Sequence, residues 1–506
     1  MSNCWEIINY ALQALLTGLC GLLECECCTI SVLEHFDRTS VIVKHLVLIG
    51  GGHSHAIVLK MFGIQPLPSV RLTLISDVLH APYSGMLPGH VAGFYGYDEC
   101  HIDLRSLAEF AGCQILIDRA IAIDLNKNLV ICQTRPPVNF DLLSVDIGST
   151  PTTLSVPGAA EYAIAAKPVP EFLASWNQLI SERANHPQKP LRIAIVGGGA
   201  GGVELALNMQ SRLGKSEGSS ATDSVTDVTD VTDVRKKSEG SSATDSVTDV
   251  TDVMDVRKKS EGSSATDSVT DVMDVRKKSE GRSPREENLE NVLSEIHLFH
   301  SGAELMQGHN QRVRRRLQEI LISRGIQLHL KEKVCAVKKI EKETNSQFPT
   351  AYQISCKSGL ELECDRIFWV TQASAANWIR ESGLAADSNG FMQVNDCLQS
   401  VSHRNVFGAG DIAAMVNYPR PKAGVFAVRQ GEPLFENLQQ FLLEKPLKPF
   451  APQEQYLGLI GTGNKRAIAS RGSFMCESAL LWYGKDWIDR QFMQKFSNLP
   501  KTRNTK

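Results

Sequence analysis

Leu46-Val47-Leu48-Ile49-Gly50-Gly51-Gly52-His53-Ser54-His55 decides the fold: an apolar run passes directly into a glycine-rich turn. An uninterrupted apolar run suits a parallel strand buried on both faces. Glycines after it let the chain turn tightly and let an anion approach the backbone. The helix that follows offers free N–H groups and the positive end of its dipole to a pyrophosphate. The arrangement recurs at Ile193-Ala194-Ile195-Val196, followed by Gly197-Gly198-Gly199-Ala200-Gly201-Gly202. A third turn, Gly408-Ala409-Gly410-Asp411, follows Asn405-Val406-Phe407. Two strand–loop–helix units in this order predict an α/β protein with two Rossmann-like dinucleotide-binding domains.

The two loops are not equal. Gly197, Gly199 and Gly202 meet the full spacing, whereas the first loop keeps Gly50 and Gly52 and carries His55 at the third position. A histidine there requires a wider helix–strand crossing, or a ring turned toward solvent or ligand. The strand from Val70 to Ile75 ends at Ser76-Asp77, which makes Asp77 a candidate for the adenosine ribose, although one position late. The strand from Glu295 to Phe299 ends at His300-Ser301 with no carboxylate, which leaves NADH against NADPH open. Asp411 is placed to accept hydrogen bonds from a sugar-alcohol chain and to cap the following helix.

Residues 216–278 are a tandem repeat in which Ser-Glu-Gly-Ser-Ser-Ala-Thr-Asp starts at Ser216, Ser238 and Ser260. The array has no Leu, Ile, Phe, Trp or Tyr, and Val225, Val228, Val231 and Val234 follow neither a helical nor a strand period. Such a segment buries too little apolar surface to offset its ordering entropy, so 215–285 read as a disordered insertion in the second βαβ unit.

The chain has 506 residues, 42% of them hydrophobic, and a formal charge of −3. This suits two or three globular domains and gives no nucleic-acid signature. The thirteen cysteines include a CxxC at Cys25 and Cys28 but no second pair at zinc spacing, and no pair follows the first glycine loop, so most read as reduced thiols with no metal site. Residues 1–44 precede the first strand, with an apolar stripe at Ile8, Leu12, Leu15, Leu19 and Leu23 and no basic residue before Arg38. That is a poor targeting peptide and too short an apolar run to span a membrane, so the expected location is cytoplasmic.

These motifs, with Pro82-Tyr83-Ser84-Gly85-Met86-Leu87-Pro88-Gly89, Asp146-Ile147-Gly148-Ser149-Thr150-Pro151 and the run Pro421 to Gly431, resemble the FAD-dependent pyridine-nucleotide oxidoreductases. The likeness is to the type II NADH dehydrogenase group, and within it to the flavoprotein half of proteins fused to selenide, water dikinase. It covers about residues 45–214 and 285–500. It implies FAD held by the first loop (Gly50, Gly52, His53), Gly148, Gly410 and Asp411. It implies NAD(P)H as substrate on the second loop, with Glu204 near the nicotinamide. It places the stretch from Lys422 to Gln430 beside the flavin ring, where a quinone-type acceptor is reduced.

The expected order is an N-terminal extension (1–44), an FAD domain in two parts (45–185 and 371–450) and an inserted NAD(P) domain (186–370). Turns near Gly148 and Thr371-Gln372-Ala373 are the expected chain crossings. The last segment, 451–506, carries nine Lys/Arg against four Asp/Glu. Leu481, Ile488, Phe492 and Phe496 line one face of a predicted helix there, with Lys485 and Lys495 snorkelling beside it and Trp482 and Trp487 suited to an interface. It reads as a peripheral membrane contact, or as a helix packed on the FAD domain or on a dimer partner, and truncation after about residue 478 is expected to spare nicotinamide oxidation. The alternatives are a sulfide:quinone oxidoreductase and a non-enzymatic flavin redox sensor. Deleting 216–278 is expected to leave flavin content and melting temperature nearly unchanged, because a solvated loop adds little to a core. A drop of many degrees in a thermal melt is the outcome that contradicts it.

Overall fold

The computed structural model describes residues 43–151, 156–214, 294–341, 350–371 and 373–500. The N-terminal stripe and the repeat array lie outside the described residues. A first parallel sheet takes β1 (Lys44–Ile49), β2 (Val70–Ser76), β3 (Gln114–Ile117) and β4 (Leu142–Val145). The chain then builds a second sheet from β5 (Ile164–Ala165), β6 (Leu191–Val196), β7 (Ser294–His300), β8 (Gln327–Leu330) and β9 (Arg366–Trp369). It returns to the first sheet with β10 (Val406–Gly408).

The strand orders are β10-β4-β1-β2-β3 and β5-β9-β6-β7-β8, both parallel throughout. In each sheet the strand order reverses beside β1 or β6, the strand that carries a glycine loop. That is where α/β sheets bind ligands. The apolar runs are buried as their composition demands: Leu46, Val47, Leu48, Ile193, Ala194 and Ile195 have no exposed surface. The two crossings between the sheets pair with each other, Thr150–Pro151 antiparallel to Ala373–Ser374.

Among the described residues six longer helices cover the sheets: α1 (His53–Ile64), α2 (Val169–Asn185), α3 (Ala200–Leu213), α4 (Gln311–Ser323), α5 (Gly424–Leu442) and α6 (Ala479–Ser497). α4 shows how local sequence sets such an element. Asn310 caps it by accepting the Val313 N–H at 3.1 Å, and Val313, Leu317, Ile320 and Leu321 form the buried stripe. α1 and α5 cross closely, since a side chain at Gly431 would strike Ile57. Ser54 Oγ donates to the Ala427 carbonyl across that crossing at 2.7 Å.

After α5 an antiparallel sheet of Gly458–Gly461, Ala467–Arg471 and Phe474–Ser478 leads into α6. Here the structure corrects the sequence expectation. Phe492, Met493 and Phe496 are buried in the core of the first sheet, and Trp482 is buried as well. Lys485 does not snorkel: its Nζ donates to the Gly85 carbonyl and to Asp489 Oδ2, both at 2.6 Å. The outward stripe is instead Leu480, Tyr483 and Trp487, with Ile488 at its edge. Truncation after residue 478 would therefore open the core. Phe492→Ala is expected to cost about 3–5 kcal/mol, the usual range for emptying a buried aromatic site. A denaturant midpoint within error of the wild type would show that α6 is dispensable.

Candidate cofactor and active site

Three turns converge at the ends of β1, β4 and β10. Gly50 takes φ +90°, and a side chain there would strike the Asp146 carbonyl. The Gly52 N–H donates to that same carbonyl at 3.2 Å. Gly410 takes φ +70°, and its N–H donates to Gln430 Oε1 at 2.7 Å. Asp411 Oδ2 accepts from Ser149 Oγ at 2.9 Å and from Lys167 Nζ at 3.0 Å. Burial alone would raise the Asp411 pKa, but the Lys167 charge and these hydrogen bonds outweigh it and hold it below the ordinary range.

Lys422 stands nearby, its Nζ on the Ala413 carbonyl at 2.6 Å and 4.1 Å from the centre of the Phe391 ring. Burial pushes its pKa down to about 8, with Asp411 and Asp387 opposing. Gly50, Gly52, Gly148, Gly410, Asp411, Lys422 and Gln430 thus share one region of the first sheet. Gln430 reaches it as a support: its amide oxygen holds the Gly410 turn.

His53 begins α1, with its ring 5.3 Å from Tyr83 and 6.1 Å from Phe492. Its Nε2 is buried and has no hydrogen-bond partner among the described residues. Burial lowers its pKa to about 4, Asp411 opposing and Lys167 adding. His55 turns neither to solvent nor to a ligand, contrary to one reading of the sequence. It is fully buried, Nδ1 on the Gly50 carbonyl at 2.7 Å and Nε2 on Ser144 Oγ at 2.8 Å. The ring therefore fastens the loop to β4. Asp77 stands apart from the cluster, half-exposed, in an ion pair with Arg119 at 3.1 Å.

The second loop is tighter. A side chain at Gly197 (φ +134°) would strike the Val370 carbonyl, and one at Gly202 would strike the Gly197 carbonyl. At Gly199 a Cβ would meet nothing within 4 Å. His300, where an acid was absent from the sequence, lies against Gly198, and its buried Nε2 has no hydrogen-bond partner among the described residues.

Glu204, one turn into α3, accepts the Gly461 N–H at 2.8 Å. Burial pushes its carboxyl up to about 7, with Lys485 and that N–H opposing and Asp489 adding. Asp489 also accepts from Tyr83 Oη at 3.1 Å. Glu204 is thereby tied electrostatically to α6 and to the Tyr83–Gly85 turn. Sequence reading missed Lys167 and Asp489, quoted Asp146 and Ser149 only within a motif, and read Lys485 only as a snorkelling lysine. Only Asp146 and Ser149 carried a signal, their place just after the strand run ending at Val145.

The geometry suits two dinucleotides. Neither α1 nor α3 takes a side-chain cap from its N-cap residue or an acidic residue in its first turn, among the described residues. α3 leaves its positive end open to an anion, while at α1 Asp146 Oδ2 takes the His55 N–H at 3.0 Å and the helix dipole still favours an anion before the loop. Open space at Gly199 and Gly148, and the unpartnered His53 Nε2, fit bound phosphate and sugar groups. Asp411→Ala is expected to weaken flavin binding by about ten- to a hundredfold, since a hydrogen bond to a charged group contributes roughly 1.5–3 kcal/mol. Full flavin retention after gel filtration would remove Asp411 from the site.

Comparison with known proteins agrees. The sequence model of the pyridine nucleotide-disulphide oxidoreductase family matches residues 44–431. The chain is 29% identical over 169 residues to an NADH dehydrogenase-like protein of Bacillus subtilis, covering 33% of this chain and 45% of that protein. It is 30% identical over 161 residues to ferroptosis suppressor protein 1 of Xenopus tropicalis, covering 31% and 42%. It is 26% identical over 187 residues to the mitochondrial external alternative NADH-ubiquinone oxidoreductase of Yarrowia lipolytica, covering 33% and 32%. The matched stretch is thus less than half the length of each of these relatives.

Among solved structures, NDH2 of Plasmodium falciparum in complex with NADH superposes with a TM-score of 0.63 at 13% identity, covering 90% of this chain and 99% of that one. The sulfide:quinone oxidoreductase of Aquifex aeolicus gives 0.62 at 16%, covering 90% and 92%. At these identities the likeness concerns the fold. With the family match running from the first glycine loop to the helix beyond Asp411, the chain belongs to the pyridine nucleotide-disulphide oxidoreductase family.

Proposed function

We propose that the protein oxidises NAD(P)H through bound FAD and reduces a quinone-type acceptor at a membrane surface. FAD with NAD(P)H as substrate fits the family and the two loops. The observation that carries the reading is the pair of glycine loops at the switch points of two parallel sheets, each opening onto a helix whose N-cap is a glycine.

When bound, the flavin supplies the hydride-accepting chemistry, and the chain supplies position and charge. In this reading Gly50, Gly52, His53 and Gly148 line the flavin nucleotide, and Asp411 binds its sugar-alcohol chain. Lys167 and Ser149 orient Asp411, and Gln430 holds the turn that presents it. Gly197, Gly199 and Gly202 seat the nicotinamide nucleotide. Glu204 borders it and, with a carboxyl near neutrality, can hold or release a proton. Lys422 is a partly neutral amine beside the flavin ring. Asp77 remains a ribose candidate only if Arg119 releases it.

The acceptor side rests on α6. Leu480 is 79% exposed, Tyr483 56% and Trp487 58%, an apolar stripe with two amphipathic rings. Among the described residues no helix is long and apolar enough to cross a membrane, so the contact proposed is peripheral. The relatives named for quinone chemistry agree with a quinone-type acceptor. The sulfide reading names Cys132, Cys335 and Cys356. Cys132 and Cys356 are buried and their pKa values are raised by burial, the latter to about 12, so neither is a ready thiolate, while Cys335 is exposed with its Sγ on the Ser355 carbonyl at 3.2 Å. The likeness to selenide, water dikinase fusions adds no substrate.

The test is anaerobic mixing with NADH and with NADPH, followed by a soluble quinone. At least one nucleotide is expected to bleach the flavin, and the quinone to restore its colour; a flavin untouched by either nucleotide sinks the proposal. Tyr483→Ser with Trp487→Ser is expected to keep bleaching and to lose about tenfold or more in binding to anionic vesicles, through lost apolar burial. Unchanged vesicle binding removes α6 as the membrane contact.

A further inference from the structure

Asp146 is an acid where a second anion would be unwelcome. It follows β4 and is 2% exposed. Its Oδ2 accepts the His55 N–H at 3.0 Å, at the start of α1. A side chain at Gly52 or at Gly410 would land on the same carboxyl group. One side chain thus fills the space left by two glycines, on two different turns.

The groups facing it can be named. α1 contributes the Ser54 hydroxyl, the Ser54 and His55 N–H groups and, at its first residue, His53, which burial keeps neutral. The turn after β10 contributes Asp411, already paired with Lys167, and Lys422 lies beyond Asp411. The His55 ring is committed to Gly50 and Ser144. No cation pairs with Asp146 among the described residues. Burial raises its carboxyl to about 7, the His55 N–H opposing and the Asp411 charge adding.

We propose that Asp146 is the positioning residue that holds the first phosphate loop against the Gly410–Asp411 turn, and that it does so as the neutral acid when the flavin is bound. This rests on the reading that the loop at Gly50 and Gly52 carries the flavin pyrophosphate. A pyrophosphate in front of the loop and a carboxylate behind it repel each other, so docking draws a proton onto Asp146. The sign follows from linkage. The neutral acid is present below about pH 7, and flavin affinity falls, by up to about tenfold per pH unit, as pH rises through that value.

The experiment uses the full chain with its flavin and measures FAD release on dilution, by fluorescence, from about pH 6 to about pH 9. Asp146→Asn keeps an oxygen to accept the His55 N–H and cannot ionise. It is expected to match the wild type at the acid end and to hold FAD at the alkaline end, where the wild type loses it. Asp146→Ala is expected to release FAD at every pH, because the support under both turns is gone. The proposal is overturned if wild type and Asp146→Asn share one pH slope, if the wild type shows none, or if Asp146→Asn releases FAD as Asp146→Ala does. A protein that holds no FAD at any pH fails the wider functional reading as well, which separates the two failures.

Discussion

The structure turns on close backbone approach where β1, β4 and β10 end. The Gly52 N–H bonds the Asp146 carbonyl, the Asp146 N–H bonds the Ile49 carbonyl, and the Ala409 N–H bonds the Val145 carbonyl. Strands far apart in sequence are thereby stitched at their carboxyl ends. Only small residues tolerate this, so the glycines serve the protein's own packing as much as any ligand. At Gly52 the vacated space belongs to Asp146; at Gly199 in the second loop it is open. The two loops share a motif and differ in what fills it.

Charge around the first loop is arranged in layers. Asp411 is held ionised by Lys167 and Ser149, while His53 and His55 are both pushed down to about 4 by burial. The imidazoles therefore act as neutral polar groups at physiological pH. Glu204 meets a different balance, pushed up to about 7 by burial against the opposing charge of Lys485. Its environment comes from α6, more than two hundred residues later in the chain. The last helix is thus part of the electrostatics at Glu204 as well as of the core.

Much was legible in the sequence because parallel strands and phosphate loops are local. An apolar run into glycines reads as one strand–turn–helix unit, and both units are present where their motifs stand. The period of α6 was also legible, but not its orientation. Phe492 and Phe496 and the pair Tyr483 and Trp487 both recur at helical spacing, and the sequence does not say which face meets the first sheet. Packing decided it: Tyr83 and His53 offer rings to Phe492, and Asp489 and Lys485 find partners in the Tyr83–Gly85 turn.

The amino-acid sequence by itself determined the α/β class with two strand–loop–helix units, the two glycine loops and the turn before Asp411, because each depends on contiguous residues and backbone geometry. The tertiary structure alone decided which charged groups meet. Lys167 reaches Asp411 across 244 residues, and Gly461 reaches Glu204 across 257. Neither pairing leaves a local pattern, since partners separated by that much chain are brought together only when both sheets and α6 are packed. The same holds for Asp146: its sequence neighbours mark a strand end, while its burial under two turns exists only in the folded protein.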